Sequence, residues 1–385
     1  MYSMDTDLIE RIRDFIDTEA IPVVPELERN DTYPADLVAR MAELGVFGLV
    51  APKSDGGLDV NLHTLWRVVA ELSRGWVTLG QLVNTQTMAT HLIRYYGTEE
   101  QKREWLPKLA RGEVRSALAM SEPHAGSDVQ NIRTRADYKK ASDSFVLSGR
   151  KKYIGSGERG GLIVVLAKTD PEADPRHRGM SLFLVPRVPG LVVEGHLGKL
   201  GYKGFDTVQL RFDDIELDSG SLLGGDPGKG FYQVLEASEV GRINVAARSI
   251  GLMESALEEA TKFSLEREAF GQLISEHQAI QLLIAEMATD LAASKALLDV
   301  ASAAKVGTAR ADLETSMAKL FATEAAVKVS LSAMRVHGGL GYTTEKIVER
   351  LYREAPQMVI AEGTSDIQRL IIARSLLAAQ RNRTT

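Results

Sequence analysis

The sequence contains no cysteine, which excludes disulfides, cysteine-ligated zinc, iron–sulfur clusters and a thiol nucleophile. It also lacks an excess of basic charge: 46 lysines and arginines stand against 52 aspartates and glutamates, so nucleic-acid binding is not expected. No apolar run approaches the roughly 18 residues of a membrane span. Residues 1–20 contain several acids and no uninterrupted apolar core, unlike a secretory signal or a transit peptide. We therefore expect a cytoplasmic protein without membrane association.

The 385 residues are enough for two or three domains of about 150 residues each, and the sequence pattern changes twice along the chain. Residues 1–115 show amphipathic helices, including a capping box at Thr98 and Gln101. Residues 116–228 contain short β-rich runs between Gly, Pro and Asp clusters. Residues 229–385 return to long helical periodicity. The predicted fold is α+β and mostly α, with an N-terminal helical domain, a middle β-barrel or β-sandwich domain and a C-terminal four-helix bundle.

Three glycine-containing strings could carry chemistry, and each also has a structural explanation. Residues 121–128 (SEPHAGSD) could bring backbone N–H groups close to a planar or anionic ligand, or form an ordinary interdomain turn. Residues 335–342 (RVHGGLGY) could contact a phosphate, or cap a helix. Residues 361–365 (AEGTS) could present Glu362 as a general base, or as a carboxylate that stabilises a helix start. The seven histidines show no metal-ligand spacing, so no metal site is predicted.

Together these strings resemble the signature motifs of the acyl-CoA dehydrogenase family of flavoproteins. Five motifs occur in the order found in that family, and the resemblance covers nearly the whole chain. They are residues 96–102 (YGTEEQK), 120–128 (MSEPHAGSD), 266–271 (EREAFG) with His277 and Gln278, 338–342 (GGLGY), and 360–364 (IAEGT). The resemblance implies bound FAD and α,β-dehydrogenation of an acyl-CoA thioester. It also implies electron transfer to an electron-transfer flavoprotein and a homo-oligomer, usually a tetramer.

The resemblance assigns the catalytic base to Glu362, which would take the α-proton while the β-carbon passes hydride to flavin N5. The thioester carbonyl would accept hydrogen bonds from a flavin ribityl hydroxyl and from the backbone N–H of Glu362. Some family members carry the base just before the arginine that opens the first long C-terminal helix. That position here is Gly241, before Arg242, and a glycine cannot act as a base. This supports Glu362 by exclusion.

The same resemblance implies the cofactor and substrate contacts. Those along the isoalloxazine are Leu118, Met120, Ser121, Gly126, Ser127, Tyr153, Ile154, Gly155 and Ser156. Gly155 departs from the Thr or Ser common in the family, and Ser156 could replace the missing hydroxyl. Arg267, Phe270 and Gln278 resemble residues that reach the FAD of a partner subunit. Arg335, Val336, Gly338 and Gly339 resemble a pyrophosphate turn, and Thr364 and Asp366 a contact at a helix terminus. Ser127, Arg242 and Gly363 are expected to contact the substrate.

The acyl pocket is expected along residues 81–91 (QLVNTQTMATH), which are unusually polar for the wall of an apolar tail. This favours a short, branched or functionalised acyl group; alternatively, the polar side chains cap helix ends or face solvent. Several other functions also stay open. An acyl-CoA oxidase, a dehydrogenase of a carrier-protein-bound acyl group and a flavin monooxygenase share the scaffold, and a catalytically inactive scaffold protein is a candidate of another class.

Overall fold

The structure is a computed structural model that describes the backbone of residues 2–384 and the side chains of residues 6–381. Six helices precede the first strand, and two of them begin with a side-chain cap. Asn61 accepts a hydrogen bond from the Thr64 N–H at 2.8 Å, and Thr98 and Gln101 form the predicted capping box. The helices are α1 (Tyr2–Phe15), α2 (Val24–Arg29), α3 (Ala35–Glu43), α4 (Leu62–Gly75), α5 (Val77–Tyr96) and α6 (Glu99–Ala110).

The middle of the chain forms one curled, seven-stranded sheet, which confirms the predicted β region. Its strands are β1 (Ser116–Ala119), β2 (Arg135–Lys139), β3 (Ser144–Gly155), β4 (Leu162–Lys168), β5 (Met180–Pro186), β6 (Leu191–His196) and β7 (Thr207–Asp218). Strand β4 pairs parallel with β1 and antiparallel with β5. Strand β3 pairs antiparallel with both β2 and β7, and β6 lies beyond β7. The sheet thus brings β1 and the end of β3 to the same region.

The remaining chain is helical apart from one short hairpin, as predicted. Its elements are α7 (Gly230–Glu266), the hairpin strands β8 (Glu268–Ala269) and β9 (Gln272–Leu273), α8 (Gln278–Ala304), α9 (Asp312–His337), α10 (Val348–Ile360) and α11 (Ser365–Thr384). Helix α7 packs against α4, α5, α8 and α9, so it is the central element of the helical core. Among the described residues, no helix is both long and apolar enough to cross a membrane.

Candidate active site

Glu362 lies in the short connection between α10 and α11, in a backbone conformation that few non-glycine residues adopt. Its φ is +52°, and the φ of the following Gly363 is +85°. The Glu362 Oε1 accepts a hydrogen bond from Asn84 Nδ2 on α5 at 3.1 Å. Gly363 adopts this conformation readily, but the positive φ of Glu362 costs conformational energy and persists only where neighbouring groups hold it. The backbone and the carboxylate are therefore both fixed in this connection.

Gly241 on α7 lies directly against the Glu362 carboxylate. A Cβ atom at position 241 would come within 2.9 Å of Glu362 Oε2 and within 2.9 Å of Met88 Sδ. A Cβ atom essentially never makes contacts shorter than 3.0 Å, so a side chain at position 241 could be accommodated only if Glu362 and Met88 moved from their present positions. Positions 241 and 362, the two that the sequence analysis considered for the base, therefore adjoin the same space. The carboxylate of Glu362 occupies that space.

Two buried side chains that the sequence analysis missed hold the connection around Glu362. Lys319 Nζ on α9 donates to the carbonyl oxygens of Val359 at 3.1 Å and Gly363 at 2.9 Å. Gln368 Nε2 on α11 donates to the carbonyl oxygens of Glu362 at 3.1 Å and Gly363 at 2.9 Å. Burial lowers the pKa of Lys319 to about 8, although the nearby Glu362 carboxylate opposes that shift.

The loop of residues 121–128 is held by a buried ion pair rather than by its glycine alone. Lys151 on β3, with none of its side chain exposed, donates to the Met120 carbonyl at 2.8 Å and to Glu122 Oε1 at 3.0 Å. The Glu122 carboxylate also accepts the backbone N–H groups of Arg133 and Thr134. Burial tends to raise the pKa of Glu122, but Lys151 and these hydrogen bonds outweigh it and leave that pKa below its usual value. Glu122 is thus structural and not free to pair with a ligand.

Replacing Lys151 with Met should destabilise the protein strongly, because the substitution leaves the Glu122 carboxylate buried without its cation. Breaking a buried pair in this way costs about 3–5 kcal/mol. We expect a large drop in the thermal unfolding midpoint, because the loop also loses its anchor. Lys152→Met is the matched control, since the next residue on β3 is not fully buried and should leave the midpoint nearly unchanged. Equal midpoints for the two variants would contradict the assigned role of Lys151.

The end of β3 carries the next group of predicted cofactor residues, and its backbone is irregular. Tyr153 has a φ of +65° with its ring 62% exposed, Ser156 has a φ of +55° and is buried, and Ile154 is buried between them. A Cβ at Gly155 would lie 2.6 Å from the Phe205 ring. This contact explains the departure at Gly155, because Phe205 occupies the space that a Thr or Ser side chain would need.

The predicted residues form two separate groups within one chain. The first group lies beside α5 and comprises Glu362 with Thr364 and Asp366, β1 with the loop that follows it, and the end of β3. The Lys152 N–H donates to the Ser121 carbonyl at 2.9 Å, which joins the last two parts. The Cβ position of Gly155 lies 3.8 Å from Gln81 Nε2, which is one helical turn before Asn84. These residues therefore adjoin the α5 surface that contacts Glu362.

The second group lies at the opposite end of the helical core. It comprises Arg267, Phe270, Gln278, Arg335, Val336, Gly338 and Gly339. Gly241 and Arg267 are 26 residues apart along α7, so at about 1.5 Å per residue they are separated by roughly 39 Å. The Phe263 ring stacks on His337 at 4.3 Å, which brings the ends of α7 and α9 together. One chain therefore does not assemble both groups around one ligand.

The three residues predicted to contact substrate have different surroundings. Gly363 adjoins Glu362, and Ser127 lies in the exposed part of its loop. Arg242 is buried, and its Nη1 donates to Asp312 Oδ1 on α9 at 3.1 Å, while its Nε finds no partner among the described residues. Arg242 therefore retains at least one N–H group without a partner in the described part of the chain.

The order of helical, curled-sheet and helical parts is that of a known class of oxidoreductases. The chain belongs to the acyl-CoA dehydrogenase family, since the models of its N-terminal, middle and C-terminal domains match residues 4–113, 117–215 and 228–377. An acyl-CoA dehydrogenase of Bacillus subtilis is 37% identical over 368 residues, which are 95% of this chain and 96% of that relative. Members of this family are flavoproteins.

Solved structures share the whole architecture. The acyl-CoA dehydrogenase from Geobacillus kaustophilus superimposes with a TM-score of 0.92 and 36% identity, covering 97% of this chain and 98% of that chain. A glutaryl-CoA dehydrogenase from Mycobacterium smegmatis in complex with FADH2 gives a TM-score of 0.89 at 27% identity, covering 97% and 94%. Both similarities extend over all three parts of the fold.

Proposed function

We propose that this protein is an FAD-dependent acyl-CoA dehydrogenase in which Glu362 removes the α-proton of an acyl thioester. The observation that carries the proposal is the confinement of the Glu362 carboxylate. It is held by Asn84, lies against Gly241 and Met88, and sits on a connection anchored by buried side chains. A base fixed in this way needs little reorganisation when the proton is transferred.

The residues near Glu362 are suited to FAD. Tyr153 presents an exposed aromatic ring beside the loop of residues 118–127, and a Cβ on Gly126 would meet no atom within 4 Å. Gly338 and Gly339 in the distant group are equally open. Open glycine backbone permits close approach of a phosphate or a flat ring. When bound, FAD supplies the acceptor for the hydride that leaves the β-carbon.

The reaction follows from what the chain's own groups can do. Glu362 accepts the α-proton, so the electron pair of that C–H bond becomes the new double bond as the β-hydrogen departs with its electron pair. The described residues provide no acceptor for the backbone N–H of Glu362, which is therefore free to donate to the thioester carbonyl and stabilise its developing negative charge. Asn84 orients the carboxylate. Helices α5 and α7 contact the half-buried Glu362 on the protein side and limit its exposure to water.

We propose further that a complete cofactor site needs two copies of the chain. The distant group projects from the hairpin after α7, where Phe270 is 98% exposed with a φ of +55°. Packing of this hairpin against a second copy of the chain would remove the Phe270 ring from water, which is favourable. Because roughly 39 Å separates Arg267 from Gly241 in one chain, the hairpin can serve a site only in a neighbouring subunit. This supports a homo-oligomer, and a tetramer is the family's usual state.

The acyl group that this site accepts is proposed to be short. All residues from 81 to 93 are buried, so the alternative that the polar ones face solvent is wrong. One turn beyond Met88, His91 Nε2 bonds to Glu236 on α7 at 2.8 Å, and Glu236 also pairs with the buried Lys305. In the other direction, Gln81 contacts the fully buried Arg248. A long apolar chain would have to displace these buried, paired charged groups and leave them without their partners.

Anaerobic titration of the purified protein with a series of acyl-CoA thioesters tests the function and the chain length together. We expect the flavin absorbance to bleach with butyryl-CoA or isobutyryl-CoA. Octanoyl-CoA should act less well, and palmitoyl-CoA should have little effect. Oxygen consumption without an added electron acceptor would favour an oxidase. Bleaching only by carrier-protein thioesters would favour a dehydrogenase of carrier-protein-bound acyl groups. A colourless protein, or a flavin that no thioester bleaches, would contradict the proposed function. Highest activity on palmitoyl-CoA would refute the proposal that the acyl group is short.

A further inference from the structure

Lys319 is a buried cation that belongs to no ion pair within the described residues. It lies on α9, its side chain has no exposed surface, and its nitrogen contacts only two backbone carbonyls. A lysine is almost never fully buried unless its charge is compensated, because leaving water is costly for an ammonium group. Its burial therefore calls for a reason beyond packing.

The two carbonyls that Lys319 engages flank Glu362 on both sides. Val359 lies in the last turn of α10, and Gly363 directly follows Glu362. Gln368 adds hydrogen bonds to the carbonyls of Glu362 and Gly363. Three carbonyl oxygens of the connection thus point toward α9 and α11. Glu362 and Gly363 retain positive φ angles, which need such external support.

The ammonium group acts on the main chain and leaves the carboxylate free. Among the described residues, the only hydrogen bond to the Glu362 carboxylate comes from Asn84. A direct ion pair with Lys319 would occupy the oxygen that must receive a proton and would weaken it as a base. Holding the adjacent carbonyls instead fixes the direction of the carboxylate and of the Glu362 N–H, and leaves both carboxylate oxygens out of hydrogen-bond contact with the ammonium group.

We infer that Lys319 is a positioning residue for the reaction: by binding the carbonyls on both sides of Glu362, it aims both the carboxylate and the backbone N–H at the substrate. This inference rests on the proposed function, since it requires that Glu362 be the base. It assigns a positioning role to a lysine in the middle of α9, far from the Arg335 and Val336 end of that helix. Gln368 takes part in the same anchorage.

The test compares Lys319→Met and Gln368→Met with wild type, and uses Lys328→Met as the matched control. Lys328 is on the same helix with a 54% exposed side chain and pairs only with surface carboxylates. We expect Lys319→Met to bind FAD and to keep a KM close to wild type, while kcat falls about a hundred-fold, the usual effect of a displacement of about 1 Å in a reacting group. Lys328→Met should match wild type.

A second measurement separates positioning from stability. A β-thia acyl-CoA has no β-hydrogen to transfer, so exchange of its α-protons with D2O reports proton abstraction alone. The exchange should slow in Lys319→Met by the same factor as kcat. It is measured at a temperature at which the unfolding midpoint and the flavin content show that the variant is folded. The double variant with Gln368→Met should lose less than the product of the two single effects, because both groups hold one connection.

The outcomes decide the inference separately from the function. If no thioester reduces the flavin of the wild-type protein, the proposed function itself is refuted. If the wild-type protein is active and Lys319→Met keeps the same kcat and the same exchange rate, the positioning role alone is refuted. A loss of kcat in Lys319→Met without slower exchange would refute it as well. Should Lys319→Met fail to fold, Gln368→Met carries the test: a slowed exchange with normal KM supports the anchorage, and a normal rate overturns it.

Discussion

Glu362→Gln is expected to lose nearly all dehydrogenase activity while it retains the cofactor. Glutamine preserves the volume of the side chain and the oxygen that accepts the Asn84 hydrogen bond, but an amide cannot take a proton from carbon. Loss of a general base lowers kcat by roughly a thousand-fold, which corresponds to about 4 kcal/mol of transition-state stabilisation. Stopped-flow bleaching of the flavin by acyl-CoA measures this rate directly.

Two further measurements identify the cause of the loss. The flavin spectrum and the unfolding midpoint should stay close to wild type, since Gln fits the same space beside Gly241 and Met88. Thioester binding, followed as a perturbation of the oxidised flavin spectrum, should also persist because the backbone N–H of residue 362 is unchanged. A variant that bleaches within ten-fold of the wild-type rate would show that another group removes the proton.

The parts of the fold that depend on local sequence could be predicted. The Thr98 and Gln101 capping box is read from four residues, and it forms as expected. The alternation of residues 207–212 likewise marks strand β7. Periodicity also gave the long C-terminal helices and the stop at Gly338 after α9. Such signals lie within one or two turns of chain, so no knowledge of distant partners is needed.

The surroundings of the polar residues on α5 could not be predicted from the sequence. A helix surrounded on all sides by α4, α6, α7 and β1 has no solvent face, so its polarity carries no information on orientation. Gln86 is used structurally, since it donates to the Leu109 and Val114 carbonyls and accepts from the Ser116 N–H. His91 is paired across 145 residues with Glu236. Partners so remote in sequence cannot be read from a single chain.

Buried lysines escaped prediction for a related reason. Lys151 is next to Lys152, and in the sequence the two look like one exposed basic pair. Lys319 similarly reads as a charged residue on an amphipathic helix. Its neighbours on the buried face of α9, Ser316, Ala322 and Thr323, are small, and this is the one local sign that the position is packed closely. The carbonyl oxygens that each buried lysine binds lie elsewhere in the chain.

Moving the base from position 362 to position 241 should restore activity to a chain that has lost Glu362. Glu362→Gly alone removes the carboxylate and should reduce kcat by about a thousand-fold or more. In the double variant Glu362→Gly/Gly241→Glu, the vacated space accepts the new side chain, because the Cβ of residue 241 points to within 3.1 Å of the present Glu362 carboxyl carbon. We expect kcat to recover about ten-fold or more over Glu362→Gly, measured as flavin bleaching by the preferred thioester.

The decisive control is Glu362→Gly/Gly241→Gln, which has nearly the same shape without a basic oxygen. Gly241→Glu in the presence of Glu362 should be poorly active or unstable, because two carboxylates cannot share a space where one Cβ already lies 2.9 Å from Oε2. Recovery must therefore require both the removal of the Glu362 side chain and a carboxylate at position 241. If the glutamate and glutamine double variants are equally inactive, contact between positions 241 and 362 does not suffice for proton transfer, and the direction set by the connection around residue 362 is indispensable.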